Sequence, residues 1–145
     1  MIRLIPLLFM ISACAPSSIA AISPEDAQLS AALTLEKTST LDFYFVSQTG
    51  EYDFDEQDII SNSSIRVTRD CGNNCAMFMA PILEHLRNSV LTDCENGQQD
   101  ILIRWGDNVS LVYSYSGRLI KFDQTCYFNE NSIDEVLKRA EFFFR

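Results

Sequence analysis

Apolar and polar positions fall into blocks along the chain, and their period changes from block to block. Leu4 to Ile11 is a mostly apolar run behind Arg3, far shorter than the roughly 20 residues a permanent membrane-spanning helix needs, so it reads as an export address. Ala15 to Ser23 is small and polar with a proline at Pro16, the composition of a flexible tether. Ser23-Pro24-Glu25-Asp26 then marks a helix start, with a hydroxyl at the N-cap, proline at the first helical position and acids facing the dipole. The predicted helix runs to about Lys37, with Leu29, Ala32 and Leu33 on one side.

The period then shortens. "LDFYFVS", Leu41 to Ser47, is aromatic and β-branched and predicts a strand. Gln48-Thr49-Gly50 supplies a turn, and Tyr52 and Phe54, alternating with acids, predict the return arm of a hairpin. Residues 55–63 read as a loop. In "SIRVTRD" Ile65 and Val67 alternate with Arg66 and Thr68, giving a second strand. Cys75, Phe78, Met79, Ile82, Leu83, Leu86 and Val90 recur at helical spacing and predict one amphipathic helix over 75–92, which Pro81 must either kink or restart near Ala80.

"DILIRW", "NVSLVYSY" and "RLIKFDQ" predict three strands, punctuated by Gly106-Asp107 and Ser116-Gly117. Ser132-Ile133-Asp134-Glu135 is a capping box, followed by Val136, Leu137, Ala140, Phe143 and Phe144 on one helical face. The order of elements predicts a single α+β domain over 24–145: a mainly antiparallel sheet of about five strands with helices packed on one face. With 145 residues, 47% of them hydrophobic, the chain has core material for one such domain and hardly for two.

Charge narrows the partners. The formal net charge is -9, and no basic run exists for phosphate recognition, which excludes nucleic acid as the expected ligand and disfavours anionic lipid. A charged partner of this chain would be basic. The densest acidic stretch, Glu51-Tyr52-Asp53-Phe54-Asp55 and on to Asp58, reads either as a solvated strand edge or as a docking surface with aromatic anchors. Its spacing lacks the glycine and the final glutamate of a calcium loop.

Five cysteines are present, an odd count for a disulfide framework. Setting Cys14 aside leaves Cys71, Cys75, Cys94 and Cys126, an even set suited to an oxidising compartment. An intact helix over 75–92 is about 26 Å long, far more than the roughly 4.4–6.8 Å between bridged Cα atoms, which opposes Cys75 with Cys94. Cys71–Cys75 with Cys94–Cys126 is favoured, and the crossed set Cys71–Cys94 with Cys75–Cys126 stays open. A regular meander speaks against the favoured set, because it puts Cys126 at the end of the sheet opposite Cys94.

Ile11-Ser12-Ala13-Cys14 resembles the lipobox of bacterial lipoprotein precursors: an aliphatic residue, two small residues, then cysteine. The resemblance implies a signal peptide over 1–13, a diacylglycerol-modified Cys14 as first mature residue, and a tether over 14–23. Ala15, not being aspartate, implies transfer to the outer membrane, facing the periplasm, and the mature charge becomes -10. Ordinary cleavage after Ala20, at Ser18-Ile19-Ala20, is the competing route and gives a soluble periplasmic or secreted protein.

Cys71-Gly72-Asn73-Asn74-Cys75, set between a strand and a helix, also resembles the thioredoxin-like cysteine pair, although three residues rather than two separate the thiols. That resemblance implies thiol–disulfide exchange with Cys75 activated at a helix start. Zinc binding by all four thiols lacks a second closely spaced pair. His85 is the only histidine and is expected on the polar side of its helix; multi-histidine metal sites are excluded with it, and no GxSxG motif, P-loop or dinucleotide fingerprint is present. Trp105, at a strand end, is expected in the core or at its rim. The functional expectation is a non-catalytic, cofactor-free envelope lipoprotein that binds a basic protein in the manner of an inhibitor or immunity partner, with thiol–disulfide exchange and a purely structural envelope role as the alternatives.

Overall fold

The computed structural model describes residues 20–46, 55–94, 99–114 and 116–139. Among them α1 (Pro24–Leu35) opens as its sequence requires: the Ser23 hydroxyl accepts from Asp26 N at 3.2 Å and Pro24 sits in the first turn. β1 (Thr40–Phe45), α2 (Glu56–Asn62) and β2 (Ile65–Asp70) follow, then α3 (Cys75–Phe78), α4 (Ala80–Arg87) and β3 (Val90–Thr92). β4 (Gln99–Trp105), β5 (Val109–Ser114), β6 (Leu119–Phe122) and β7 (Thr125–Phe128) form a meander before α5 (Ile133–Arg139).

The strands make one sheet in the order β2-β1-β4-β5-β6-β7-β3, with every neighbouring pair antiparallel. The α+β class holds, while the described sheet has seven strands rather than about five, for two local reasons. "RLIKFDQ" does not end the meander: Asp123 and Gln124 take positive φ of 45° and 65°, and Phe122 pairs with Thr125. This is a two-residue hairpin with both central residues left-handed, a turn usually marked by Asn-Gly and here carrying no glycine. Residues 90–92, placed by spacing on a helix, instead pair with β7, because α4 ends at Arg87.

The single helix expected over 75–92 is therefore three elements. It breaks at Met79, and Pro81 lies in the first turn of α4, where its missing N–H costs nothing. The loop expected over 55–63 is α2. β1 is flanked by β2 on one side and β4 on the other, so it offers no edge to a local return arm; the turn at 48–50 and the arm residues 51–54 lie outside the described residues, as do Ala140, Phe143 and Phe144.

Alternation along the strands divides the sheet into two faces. Leu41 and Phe43, Ile101, Ile103 and Trp105, Leu111 and Tyr113, and Ile120 and Phe122 share the main core with buried residues of α1, α3, α4 and α5. On the opposite face Tyr44, Val46, Leu102 and Val112 form a smaller core with Ile59 of α2. Helices thus cover both faces, not one. Gly117 fastens the last helix: its carbonyl accepts from Ile133 N at 2.8 Å, and at φ 66° any side chain would strike Ser132 Oγ at 2.6 Å.

The rotation of α1 is the main departure from the sequence pattern. Ala27, Ala31 and Leu35 are buried, whereas Leu29 and Leu33 are 58% and 53% exposed. Helix spacing alone supports either face, since both sets recur every four residues. Packing decides between them. α1 lies chiefly against α4, which already brings Ile82, Leu83 and Leu86 into the core, and small residues on α1 let the helices approach within the space left. The two ends are pinned by polar contacts: Tyr127 Oη donates to Ile22 O at 2.8 Å, and Trp105 Nε1 donates to Thr34 Oγ1 at 2.9 Å.

This rotation makes opposite demands on neighbouring positions. Ala31→Leu is expected to overpack the seam and cost about 1–3 kcal/mol in urea unfolding, while Leu33→Ala should change stability by no more than about 0.5 kcal/mol. The reverse ranking would show the leucine face buried.

Candidate functional site

The four body cysteines close into two bridges, Cys71–Cys75 and Cys94–Cys126, each with Cα atoms 5.1 Å apart. The first bridge ties the end of β2 to α3 through a tight loop: Cys71 N donates to Ser39 O, Asn74 N donates to Cys71 O, and Gly72, at φ 55°, donates to Asp70 Oδ1 at 3.0 Å. Cys75 is fully buried. Its helix is four residues long before the break at Met79, so the long dipole that would activate a thiolate there is missing. Nearby, the Arg69 guanidinium lies 5.1 Å from the centre of the Phe78 ring.

The second bridge resolves the conflict over Cys126. A meander stopping at β6 would leave that residue far from Cys94; the additional β6–β7 hairpin brings it back, and Cys126 pairs in register with Thr92, two residues before Cys94. Cys94–Cys126 thereby clips the short edge strand β3 to its only described neighbour. A bridge across a loop of this length contributes of order 2–4 kcal/mol in the chain-entropy picture.

His85 is not on a polar surface. It is buried at the junction of α4 with the segment leading into α5. Nε2 meets Asn131 O at 2.8 Å; a carbonyl only accepts, so Nε2 carries the proton. The His85 carbonyl accepts from Ser89 Oγ at 2.7 Å and from Asn129 Nδ2 at 2.9 Å, and Asn129 Oδ1 accepts in turn from Asn131 N at 2.9 Å. Nδ1 and the hydroxyl of Tyr113 are both buried without a described protein partner, on rings whose centres are 6.0 Å apart. Burial lowers the pKa of His85, and the bond to Asn131 raises it only in part.

Beside this node lies a cavity of about 430 Å³ lined by Glu84, His85, Asn88, Asn129, Asn131 and Glu135 among others. Its lining is rich in carboxylates and carboxamides and holds no nucleophile. His85 commits Nε2 to a backbone carbonyl, and its Nδ1 is buried without a described protein partner. Among the described residues no group of histidines, cysteines and acids is placed to hold a metal ion, and no helix is long and apolar enough to cross a membrane.

Of the acidic stretch, Glu51, Tyr52, Asp53 and Phe54 lie outside the described residues, as does Cys14. Asp55 serves the fold itself by capping α2, accepting from Asp58 N at 2.8 Å while Asp58 Oδ2 accepts from Asp55 N at 3.2 Å. Glu56 Oε1 accepts from Ser110 Oγ at 2.7 Å and ties α2 to β5. Trp105 is core, as expected. Asp100, which sequence reasoning passed over, is buried at an irregularity between Gln99 and Ile101, and burial raises its pKa to about 6. Comparison with protein-family models, with curated proteins and with solved structures finds no match to this chain.

Two buried ionisable groups give the fold opposing pH dependences. His85 has a folded pKa below the ordinary 6.5, so its contribution is complete above that value and is lost as pH falls from there toward the folded pKa. Asp100 keeps its proton to about 6 when folded, against 3.8 ordinarily, so its contribution is present below 3.8 and is lost as pH rises to about 6. In urea unfolding, wild type should therefore lose ground to His85→Gln as pH falls below 6.5, and to Asp100→Asn as it rises through the window from 3.8 to 6. Differences that do not vary with pH would contradict both assignments.

Proposed function

We propose that the protein is an envelope lipoprotein whose folded body is a non-catalytic binding module for a basic protein, of the inhibitor or immunity kind. One observation carries the reading: the body cysteines are used up in pairs, Cys71 with Cys75 and Cys94 with Cys126, so the fifth, Cys14, is left over at the place where the lipobox sequence calls for a lipid acceptor. Disulfides of this kind belong in an oxidising compartment, which the apolar amino-terminal signal also addresses. The mature chain, beginning at Cys14, carries a net charge of -10 and is held at the outer membrane facing the periplasm.

The tether sets the working distance. Seven residues separate Cys14 from Ile22, whose carbonyl is held by Tyr127, so the domain sits within about 28 Å of its anchor at full extension. One acyl chain binds a membrane only marginally, and two or three hold it permanently. The acidic body then acts by attraction: charged partners of opposite sign are steered to it faster, and the attraction weakens with salt.

Cells fed labelled palmitate should incorporate it into the wild-type chain and not into Cys14→Ser, which should shift from the membrane to the soluble fraction. A basic partner should co-purify at low ionic strength and leave as salt is raised. Equal labelling of Cys14→Ser, or membrane retention without Cys14, would overturn the anchor; co-purification of nothing under mild salt would overturn the binding role.

A further inference from the structure

The outward face of α1 carries Leu29 and Leu33, one turn apart and each more than half exposed. Side chains four residues apart lie one above the other on a helix, so the two leucines form a single ridge. Glu25, Asp26 and Ser30 are exposed at its amino-terminal end, and Glu36 and Lys37 at the other. The rim therefore sets three carboxylates against one ammonium. Each leucine, more than half exposed, forgoes part of the roughly 1.5–3 kcal/mol that full burial returns.

We propose that this ridge is the docking surface for an amphipathic helix of the basic partner, whose own apolar stripe is edged by lysine or arginine. The inference rests on the protein-binding reading above and names its surface. Charge selects the occupant. A second copy of the chain would bring acids against acids, and an anionic bilayer would be repelled in the same way. A neutral bilayer would accept the leucines but strip water from Glu25, Asp26 and Glu36 with nothing to pair them. A helix edged by cations meets both requirements at once, with an apolar centre and a charged rim as in other helix-in-groove contacts. The surface is also preformed: Tyr127 fixes the start of α1 and Trp105 holds Thr34 near its end, so little ordering accompanies docking.

The test uses the full chain carrying Cys14→Ser, titrated with a synthetic helical peptide bearing a leucine stripe edged by lysines. The same stripe edged by glutamates and vesicles of phosphatidylcholine serve as controls. Leu29→Ser with Leu33→Ser leaves net charge unchanged, and the residues are more than half exposed, so the chain should stay folded with a loss of no more than about 1 kcal/mol, checked by thermal unfolding. Affinity for the lysine-edged peptide should fall about tenfold or more in this double variant, and the glutamate-edged peptide should bind far more weakly to the wild-type ridge. Glu25→Gln with Glu36→Gln, a second route independent of the leucines, should weaken binding and flatten its salt dependence.

Equal binding by the leucine variant would show that acidity alone attracts the peptide and overturn the proposal. So would equal binding of the glutamate-edged peptide, leucine-dependent vesicle binding tighter than peptide binding, or leucine-dependent dimers in sedimentation. Should the leucine variant still co-purify the envelope partner at low salt, this surface falls while the binding reading stands.

Discussion

Ala27 and Ala31 enter the main core with side chains no longer than a methyl group, and this contact decides where the rest of the apolar mass goes. One sheet face must be covered by α1, α3, α4 and α5 together, and α4 already supplies the large residues Ile82, Leu83 and Leu86. A leucine face on α1 would hold the two helices apart, which close packing does not tolerate. With alanines inward, Trp105 reaches Thr34 and Tyr127 reaches Ile22. Leu29 and Leu33 are then turned outward by geometry, and the protein acquires an apolar ridge with an acidic rim.

A second constraint works at the far edge of the sheet. The two-residue turn at Asp123-Gln124 sends β7 back along β6, which seats Cys126 beside β3 and allows the bridge to Cys94. The other bridge joins β2 to the first turn of the helical layer. Each staple thus lies where a short element would otherwise hang on few contacts, β3 in one case and the four-residue α3 in the other. Both edges of the sheet are secured by sulfur, and the four body cysteines are paired.

The fold class, the breaks at Pro81, Gly106 and Gly117, the cap at Ser23 and the favoured disulfide set were legible in the sequence because each rests on local chemistry. The β6–β7 turn was not, since neither Asp123 nor Gln124 carries the glycine signal for left-handed backbone. α2 was visible in principle: Asp55 and Asp58 form a capping box ahead of Ile59 and Ile60, a pattern masked by its reading as an acidic run. The burial of His85 depends on Asn129 and Asn131, more than forty residues away, and no local pattern announces it. The rotation of α1 is likewise tertiary; two equivalent spacings compete, and the larger side chains were the wrong guide.

The two bridges pair the four body cysteines, and the proposed role of Cys14 as the lipid acceptor turns on that pairing. Mass mapping of the mature protein under non-reducing conditions tests it most directly. The account predicts peptides linking Cys71 to Cys75 and Cys94 to Cys126, and an amino-terminal peptide that begins at Cys14 and carries the mass of diacylglycerol. An unmodified amino terminus at Ala21, or a bridge between Cys71 and Cys94, would contradict it.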